Sequence, residues 1–410
     1  MKSYADIAGF LPLQTRKVPG GPLAPEGFIG GAVNAGIKSE MSKRNDLALI
    51  VSTEAFTHVA GTFTTNKVKA APVRLSQARL RAGEGTRAVV LNSGNANACT
   101  GKSGLAAARE MAAAAADKAD IPVEGVLVCS TGRIGVPLPV ARIREGLGRM
   151  ELGRGQGGGD ALARAIMTSD TFPKCLAVEV KTSGGRFRVG GMAKGAGMIN
   201  PNMATMLSVI TTDAHIPKAD LQRLLRMAVE DSFNRITVDG DMSTNDTVIL
   251  LASGASKIRP PEKIFFQTLC FVASELARMI VWDGEGVSRF VEVEVSGAAS
   301  SRDARRAAEA VANSTLVKCA WAGGDPNWGR IMDALGYSGA RMTESRVDID
   351  YNGLPLVRGG EQAPTPWKKI LTQAARPRLR VTVDLHSGPY RYEAWTTDLT
   401  EEYVRLNLGE

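Results

Sequence analysis

The chain has 410 residues, of which 44% are hydrophobic and 22% are charged, a composition typical of a globular protein long enough for two or three domains. The net charge of +8 comes from 50 basic residues spread among 42 acidic ones, without a basic stripe or an RNA-binding aromatic motif, so we expect no nucleic-acid partner. We also expect no secretory leader and no membrane span, because the most apolar stretch, 264–282, is interrupted by polar residues at helical spacing.

Cysteine usage predicts a reducing compartment. The five cysteines are scattered without a C-x-x-C pair, and the chain has three histidines, so neither a disulfide framework nor a metal site is predicted. We therefore expect a cytoplasmic protein with no bound metal, whose free thiols are small buried hydrophobic residues.

The first part of the chain alternates strand-like and helix-like patterns. Short apolar runs predict strands and an Ala-rich run predicts a helix, with a second helix ending near Leu147; the strands are 47–52, 88–92 and 125–130, and the Ala-rich helix is 104–118. The glycine-rich tract 153–159 formally matches G-x-G-x-x-G. No strand precedes it, so we expect a surface loop rather than a dinucleotide site.

The second part continues the alternation. Period-two patterns predict a hairpin over 176–191 and later strands, and helical patterns predict helices between them; the strands are 291–295, 347–351 and 379–385, and the helices are 264–282, packed on a core, and 301–312. Scarce aromatic residues and abundant glycine favour α/β layers. We place a domain boundary near residue 287, between an α/β core (1–287) and a smaller α/β domain (288–410).

The segment 191–214 carries the most unusual pattern. A loop rich in Gly, Asn and Pro runs directly into an apolar stretch that begins at Thr205. Loops of this composition can hold strained backbone geometry, which would place a threonine to attack the preceding carbonyl. On spacing and composition alone, the simpler interpretation is that Thr205 opens a buried strand.

Self-cleavage would make Thr205 a self-sufficient nucleophile. Its Oγ would attack the Ala204 carbonyl, an N→O acyl shift would give an ester, and water would hydrolyse that ester. The freed α-amine has a reference pKa near 7.7–8.0, so it could act as a general base close to neutral pH. Such chemistry needs no histidine.

The segment 194–207, Lys-Gly-x-Gly-Met-Ile-x-Pro-Asn-Met-Ala-Thr-Met-Leu, resembles the signature of the ornithine acetyltransferase (glutamate N-acetyltransferase) family. Further blocks resemble that family in the same order, over about residues 5–407; they are Asn92–Ala98, Ser130–Gly135, Asp170–Lys174, Asp239–Asp246, Asp283–Gly286, Leu316–Lys318 and Asp325–Ile331. The resemblance therefore extends over nearly the whole chain.

The resemblance implies a fold and a catalytic apparatus. The expected core is a layered αββα sandwich like that of self-cleaving aminopeptidases. Cleavage between Ala204 and Thr205 would give an α chain of 1–204 and a β chain of 205–410, assembled as an α₂β₂ heterotetramer. Thr205 would be the nucleophile, and Thr131 and Gly132 would form the oxyanion hole. A strand that ends in a Ser-Thr-Gly turn suits this role, although residues 130–132 alone are equally typical of an ordinary turn.

The resemblance also assigns substrate contacts. Besides Thr205, the implied substrate-binding residues are Thr171, Lys194, Glu285 and Asn407. A lysine can hold a substrate carboxylate, and Glu285 could hold the side-chain ammonium of ornithine. Family members usually continue past the matching asparagine to a terminal threonine that contacts substrate. Here the sequence ends three residues after Asn407, so we expect that contact to be missing or supplied by another group.

The implied reaction moves an acetyl group from N²-acetyl-L-ornithine to L-glutamate through an acetyl-threonine. It needs no cofactor, and acetyl-CoA enters only if the enzyme also makes N-acetylglutamate directly. Two alternatives stay open at this point. One is an amidohydrolase or aminopeptidase on the same scaffold, in which water replaces glutamate. The other is an uncleaved, inactive binding homologue.

Overall fold

The computed structural model describes residues 7–39, 41–83, 85–155, 158–200 and 206–408. The chain divides into two compact units. The core unit comprises Gly9–Asn234 and Met242–Ile280, and the C-terminal unit comprises Met1–Ala8, Arg235–Asp241 and Val281–Glu410. The last segment of the C-terminal unit begins at Val281, shortly before the boundary that we expected near residue 287. The sequence patterns did not predict that Arg235–Asp241 belongs to the C-terminal unit.

The core unit contains ten strands and six helices within the described residues. The strands are β1 Thr15–Val18, β2 Phe28–Val33, β3 Leu47–Ser52, β4 His58–Phe63, β5 Ala88–Asn95, β6 Val126–Arg133, β7 Lys174–Thr182, β8 Gly185–Lys194, β9 Leu207–Thr212 and β10 Thr247–Ala252; the helices are α1 Ala71–Ala82, α2 Gly101–Ala119, α3 Val140–Arg149, α4 Gly158–Ala165, α5 Lys218–Glu230 and α6 Glu262–Trp282.

Two sheets stack in this unit. The larger has the order β1-β7-β8-β9-β10-β4 and the smaller β2-β3-β5-β6. The neighbours β9–β10 and β5–β6 are parallel and the other neighbours are antiparallel. The facing surfaces share one apolar core, to which the smaller sheet contributes Phe28 and Ile50 and the larger sheet contributes Met192 and Ile249.

Helices cover the outer face of each sheet. On the smaller sheet, Leu75 of α1, Met111 of α2 and Ile143 of α3 share a second apolar cluster with β3 and β5. On the larger sheet, Phe265 of α6 packs on Phe187 of β8 with ring centroids 6.2 Å apart. Both faces of β3 are therefore covered, which explains its unbroken apolar sequence. This arrangement confirms the αββα sandwich that the resemblance implied.

The stretch 264–282 lies in α6, as expected for a helix that packs on a core. By length and composition α6 could cross a membrane, but 67% of its most apolar 18-residue window is buried inside the protein. Of the polar residues at helical spacing, Gln267 is exposed and Arg278 is half-buried. Glu275 is buried, accepts a hydrogen bond from the Gly9 amide at 2.8 Å and pairs with Arg278 at 3.4 Å.

The C-terminal unit is a second α/β layer. Its strands are β11 Phe290–Ala298, β12 Asp348–Tyr351, β13 Leu354–Arg358, β14 Glu361–Gln362, β15 Arg378–Asp384 and β16 Tyr390–Thr397, and its helices are α7 Ser301–Asn313, α8 Thr315–Gly323, α9 Trp328–Tyr337, α10 Trp367–Ala374 and α11 Glu401–Leu406. The sheet order is β14-β13-β12-β15-β11-β16. Buried side chains of α7 to α10 share one apolar cluster with this sheet.

Two sequence-based expectations are corrected. The glycine-rich tract is not a loop throughout, since Gly158 and Gly159 begin α4 and Gly153 bridges to Gly30; Gln156 and Gly157 lie outside the described residues. The thiols are not all buried, because Cys99 and Cys319 are exposed. Burial does raise the pKa of the Cys129 thiol to about 12.

Candidate active site

The expected cleavage point lies between two well-defined strands of the larger sheet. Ala204 and Thr205 are outside the described residues, and the description resumes at Met206. The apolar run after them forms β9, whose six residues are all buried. A buried strand therefore begins at Leu207, two residues after Thr205, while the cleavage itself stays a prediction.

Thr131 and Gly132 lie at the carboxyl end of β6, beside β5. The expected turn is absent here, because strand pairing continues through Gly94↔Gly132 and a bulge follows at Asn95. Gly132 has φ +131°, and a Cβ there would lie 2.3 Å from the carbonyl carbon of Gly94. Only glycine fits this close approach of two backbones. Thr131 itself is buried.

Asn245, just before β10, ties this strand end to the rest of the core unit. Its side-chain amide donates to the Ser130 carbonyl at 2.8 Å and to the Ala96 carbonyl at 2.7 Å. One buried side chain thus fixes the residue before Thr131 and the loop that follows β5. Sequence reasoning placed Asn245 in a family block but gave it no role.

Asp170 organises a group of lysines at the end of β8. Its Oδ1 accepts a hydrogen bond from Lys174 Nζ at 2.6 Å and another from the Gly195 amide at 2.7 Å, and its Oδ2 accepts one from the Thr168 amide at 2.9 Å. Gly195 follows Lys194, and Thr171 follows Asp170. The two predicted substrate residues Thr171 and Lys194 are thereby brought into one neighbourhood.

The positive charges near Asp170 explain why its pKa is low although the carboxyl is buried. Burial favours the neutral carboxyl, but the positive charges of Lys174 and Lys194 together with the Gly195 amide hold the pKa of Asp170 well below its usual range. Burial also lowers the pKa of Lys38, while Asp46 and Asp170 oppose that shift. We call Lys38, Lys174 and Lys194 the lysine cluster, because the charges of Lys174 and Lys194 act on Asp170 and the charge of Asp170 acts on Lys38.

Met206, the residue after the expected nucleophile, has both backbone polar groups in hydrogen bonds. The Met206 amide donates to Asp246 Oδ1 at 2.9 Å, and the Met206 carbonyl accepts from the Thr247 amide at 3.1 Å. Asp246 is fully buried. Sequence reasoning gave no role to this aspartate either, although its position at the end of a family block directly before an apolar strand was a usable signal.

Glu285 and Asn407 lie in the C-terminal unit and contact each other. Asn407 Nδ2 donates to Glu285 Oε2 at 2.9 Å and to the Tyr403 carbonyl at 2.9 Å. The Tyr403 hydroxyl in turn donates to Asp239 Oδ2 at 3.3 Å. Burial and the charges of Asp239, Glu285 and Asp241 raise the pKa of Tyr403. The Glu285–Asn407 pair therefore lies in a negative environment.

Comparison with known proteins identifies the family. A family model described as the ArgJ family matches residues 30–409. The chain belongs to the ArgJ family. This confirms the resemblance drawn from the sequence blocks. Among similar ArgJ proteins is the arginine biosynthesis bifunctional protein ArgJ of Geobacter sulfurreducens, 49% identical over 390 residues that cover 93% of this chain and 98% of the relative. The ArgJ protein of Thermus thermophilus is 47% identical over 387 residues, covering 93% and 97%.

Solved structures similar to this ArgJ-family chain include ornithine acetyltransferase from Mycobacterium tuberculosis complexed with ornithine. It is 43% identical and covers 46% of this chain and 98% of its own, with a TM-score of 0.41. The L-aminopeptidase D-Ala-esterase/amidase of Ochrobactrum anthropi is 12% identical and covers 67% and 89%, with a TM-score of 0.40.

The buried Asp170–Lys174 pair generates a stability prediction for this ArgJ-family protein. Asp170→Asn should lower the free energy of unfolding by about 3–5 kcal/mol at pH 7, because it leaves the fully buried Lys174 ammonium without its counter-charge. Urea unfolding followed by circular dichroism measures the change. The matched control is Asp160→Asn, which breaks an exposed pair with Arg164 and should cost under about 1 kcal/mol.

The same pair predicts a pH dependence. A carboxyl whose pKa is depressed by folding contributes stability above its unfolded pKa of about 3.9 and loses it as pH falls through the folded value. The difference in unfolding free energy between wild type and Asp170→Asn should therefore shrink below about pH 4. A difference that is equal at pH 7 and pH 3, or no larger than that of Asp160→Asn, would contradict an ionised Asp170.

Proposed function

We propose that this ArgJ-family chain is a glutamate N-acetyltransferase of arginine biosynthesis, which transfers acetyl from N²-acetyl-L-ornithine to L-glutamate. The observation that carries the proposal is the family match over residues 30–409, together with relatives named arginine biosynthesis bifunctional protein that match nearly end to end. The intact sequence around Ala204 and Thr205 supports maturation by self-cleavage.

Maturation would release the base that the transfer step needs. Thr205 Oγ bonds to the Ala204 carbonyl carbon as the C–N bond breaks, and the nitrogen takes up a proton to become an amine. Water then hydrolyses the ester, leaving a carboxylate on Ala204 and a free hydroxyl and α-amine on Thr205. An α-amine has a pKa near 7.7–8.0, so a useful fraction is the neutral base at physiological pH.

Acetyl transfer would follow as a double displacement. The Thr205 amine removes the hydroxyl proton while Oγ attacks the acetyl carbon, and the proton passes to the leaving nitrogen of ornithine. The glutamate amine then attacks the acetyl ester and restores the Thr205 hydroxyl. The Gly132 amide and the Thr131 hydroxyl would stabilise the oxyanion in both halves. The fixed approach of Gly132 to Gly94 supports this role, because a preformed hole needs an immobile backbone.

The charges beside the predicted substrate-binding residues suit the groups that each residue would contact. The lysine cluster supplies positive charge for an α-carboxylate, and Lys194 is its member that the resemblance places against substrate. The Glu285–Asn407 pair supplies negative charge for the δ-ammonium group of ornithine. We further propose a cytoplasmic α₂β₂ assembly without a resident metal or cofactor, and acetyl-CoA as a substrate only if the enzyme also makes N-acetylglutamate directly.

Self-cleavage gives the first test of this function. Purified protein should run on a denaturing gel as two bands, each about half of 43.4 kDa, because Thr205 activates itself. Amino-terminal sequencing of one band should begin Thr-Met-Leu-Ser. Thr205→Ala should stay whole and inactive, whereas Ser208→Ala, which removes a buried hydroxyl from β9, should still split. Cleavage of Thr205→Ala at this bond would refute the mechanism.

Steady-state kinetics test the transfer. A covalent acetyl-enzyme requires parallel double-reciprocal lines for N-acetylornithine and glutamate. Incubation with N-acetylornithine alone should add one acetyl group to the fragment that starts at Thr205, as measured by mass spectrometry. Intersecting lines would show direct transfer. Sustained ornithine release without glutamate would show that water is the acceptor and that the chain is an amidohydrolase.

The Glu285–Asn407 hydrogen bond predicts a kinetic effect. Asn407→Ala should lower kcat/KM for N-acetylornithine about ten- to a hundredfold, because a hydrogen bond to a charged group contributes roughly 1.5–3 kcal/mol. Self-cleavage should be unchanged. Leu408→Ala, at the exposed neighbouring residue, is the control and should behave like wild type. Unchanged kcat and KM in Asn407→Ala would remove this residue from substrate binding.

A further inference from the structure

The start of β10 places a buried carboxyl group beside the residue that follows Thr205. Strands β9 and β10 are parallel, with Leu207 opposite Thr247, so Met206 and Asp246 enter them side by side. Asp246 Oδ1 accepts a hydrogen bond from the Met206 amide, and the Thr247 amide donates a hydrogen bond to the Met206 carbonyl. Both backbone polar groups of Met206 are therefore held by two consecutive residues.

Asp246 itself cannot shift easily. Its carbonyl accepts a hydrogen bond from the Thr64 amide at 2.9 Å, directly after β4. The Thr64 hydroxyl donates to the Ser243 carbonyl at 2.8 Å, three residues before Asp246. Asn245, the preceding residue, is anchored to the smaller sheet through Ser130 and Ala96. The carboxyl group thus sits on a segment that is fixed from both sides.

The pKa of this carboxyl is shifted in the opposite direction from the pKa of Asp170. Burial raises the pKa of Asp246 well above its ordinary value, although the Met206 amide, the positive charge of Lys194 and the nearby Thr64 hydroxyl oppose the rise. Its Oδ2 is buried and makes no hydrogen bond to any of the described residues. A neutral carboxyl can accept the Met206 amide with one oxygen and still carry a proton on the other.

We propose that Asp246 is a positioning residue that, through the amide of Met206, holds Thr205 in the geometry required for self-cleavage. The inference rests on the proposed function, in which Thr205 is the nucleophile. The rate of nucleophilic attack falls steeply when the nucleophile is displaced from its productive position. Fixing the Met206 amide, directly after Thr205, should therefore raise the rate of self-cleavage. A neutral Asp246 would also help after cleavage. A carboxylate one residue from the new α-amine would favour the protonated ammonium and weaken it as a base.

The test compares Asp246→Asn with Asp246→Ala during cell-free synthesis, following conversion of the intact chain into two fragments on a denaturing gel. Asparagine keeps an acceptor oxygen for the Met206 amide, so Asp246→Asn should cleave within about threefold of the wild-type rate. Alanine leaves that amide without its buried acceptor, so Asp246→Ala should cleave at least about tenfold more slowly. Rescue by asparagine separates positioning from a general loss of packing.

Asp213→Ala is the matched control. Asp213 is also buried, lies just beyond the other end of β9, and accepts hydrogen bonds from the Glu26 amide at 3.0 Å and the Arg188 amide at 2.7 Å. Asp213→Ala should lose thermal stability but cleave at the wild-type rate. If Asp246→Ala does not fold, which circular dichroism will show, Asp246→Leu replaces it, because leucine has a similar shape but no acceptor oxygen. A folded Asp246→Leu protein should cleave at least about tenfold more slowly than wild type.

Two results would overturn the inference. One is wild-type cleavage by a folded Asp246→Ala protein, and the other is cleavage by folded Asp246→Asn that is tenfold slower than wild type or worse. Failure of the wild-type chain to split between Ala204 and Thr205 is a different result, since it refutes the proposed function. A wild-type chain that splits, together with a folded Asp246→Ala protein that splits at the same rate, refutes only the role of Asp246.

Discussion

The segment Ser243–Thr247 forms hydrogen bonds with both stacked sheets of the core unit. Asn245 reaches the smaller sheet at Ser130, and Asp246 reaches the larger sheet at Met206. Adjacent residues on one short segment therefore fix the strand that carries Thr131 and the strand that follows Thr205. Because the sheets share a close-packed apolar core, their separation can change little, and the polar groups at their ends keep a constant spacing.

The lysine cluster shows that burial of charge here serves geometry more than stability. Removing two ions from water costs several kcal/mol each, and a buried pair recovers that cost only when its hydrogen bonds are complete. Asp170 meets this condition with Lys174 and two backbone amides. The result is a carboxylate that stays ionised and holds the chain next to Lys194 and Thr171.

The C-terminal unit also contains a buried lysine whose side chain is hydrogen-bonded. Lys318 is buried and donates to the Thr396 hydroxyl at 2.9 Å and to the Thr397 hydroxyl at 3.1 Å. Burial lowers its pKa to about 7, while Asp398 and Asp239 oppose the shift. Asp398 Oδ1 accepts a hydrogen bond from the Ser288 amide at 2.8 Å, which anchors the chain shortly after Glu285. These hydrogen bonds join the end of β16 to α8 and to the segment between Glu285 and β11.

Local sequence patterns were enough to predict several strands and helices and to identify the family. The strand expected at 47–52 is β3 to the residue, and the helix expected at 301–312 is α7, capped by Ser300. Both could be predicted because a short apolar run and a helical pattern are local properties of the sequence. The blocks around Thr205 likewise identified the family. Tertiary structure alone decided the roles of Asn245 and Asp246, whose partners Ser130 and Met206 lie 115 and 40 residues away in the chain. No local pattern encodes such contacts, because they form only when the two sheets stack and the parallel strands align.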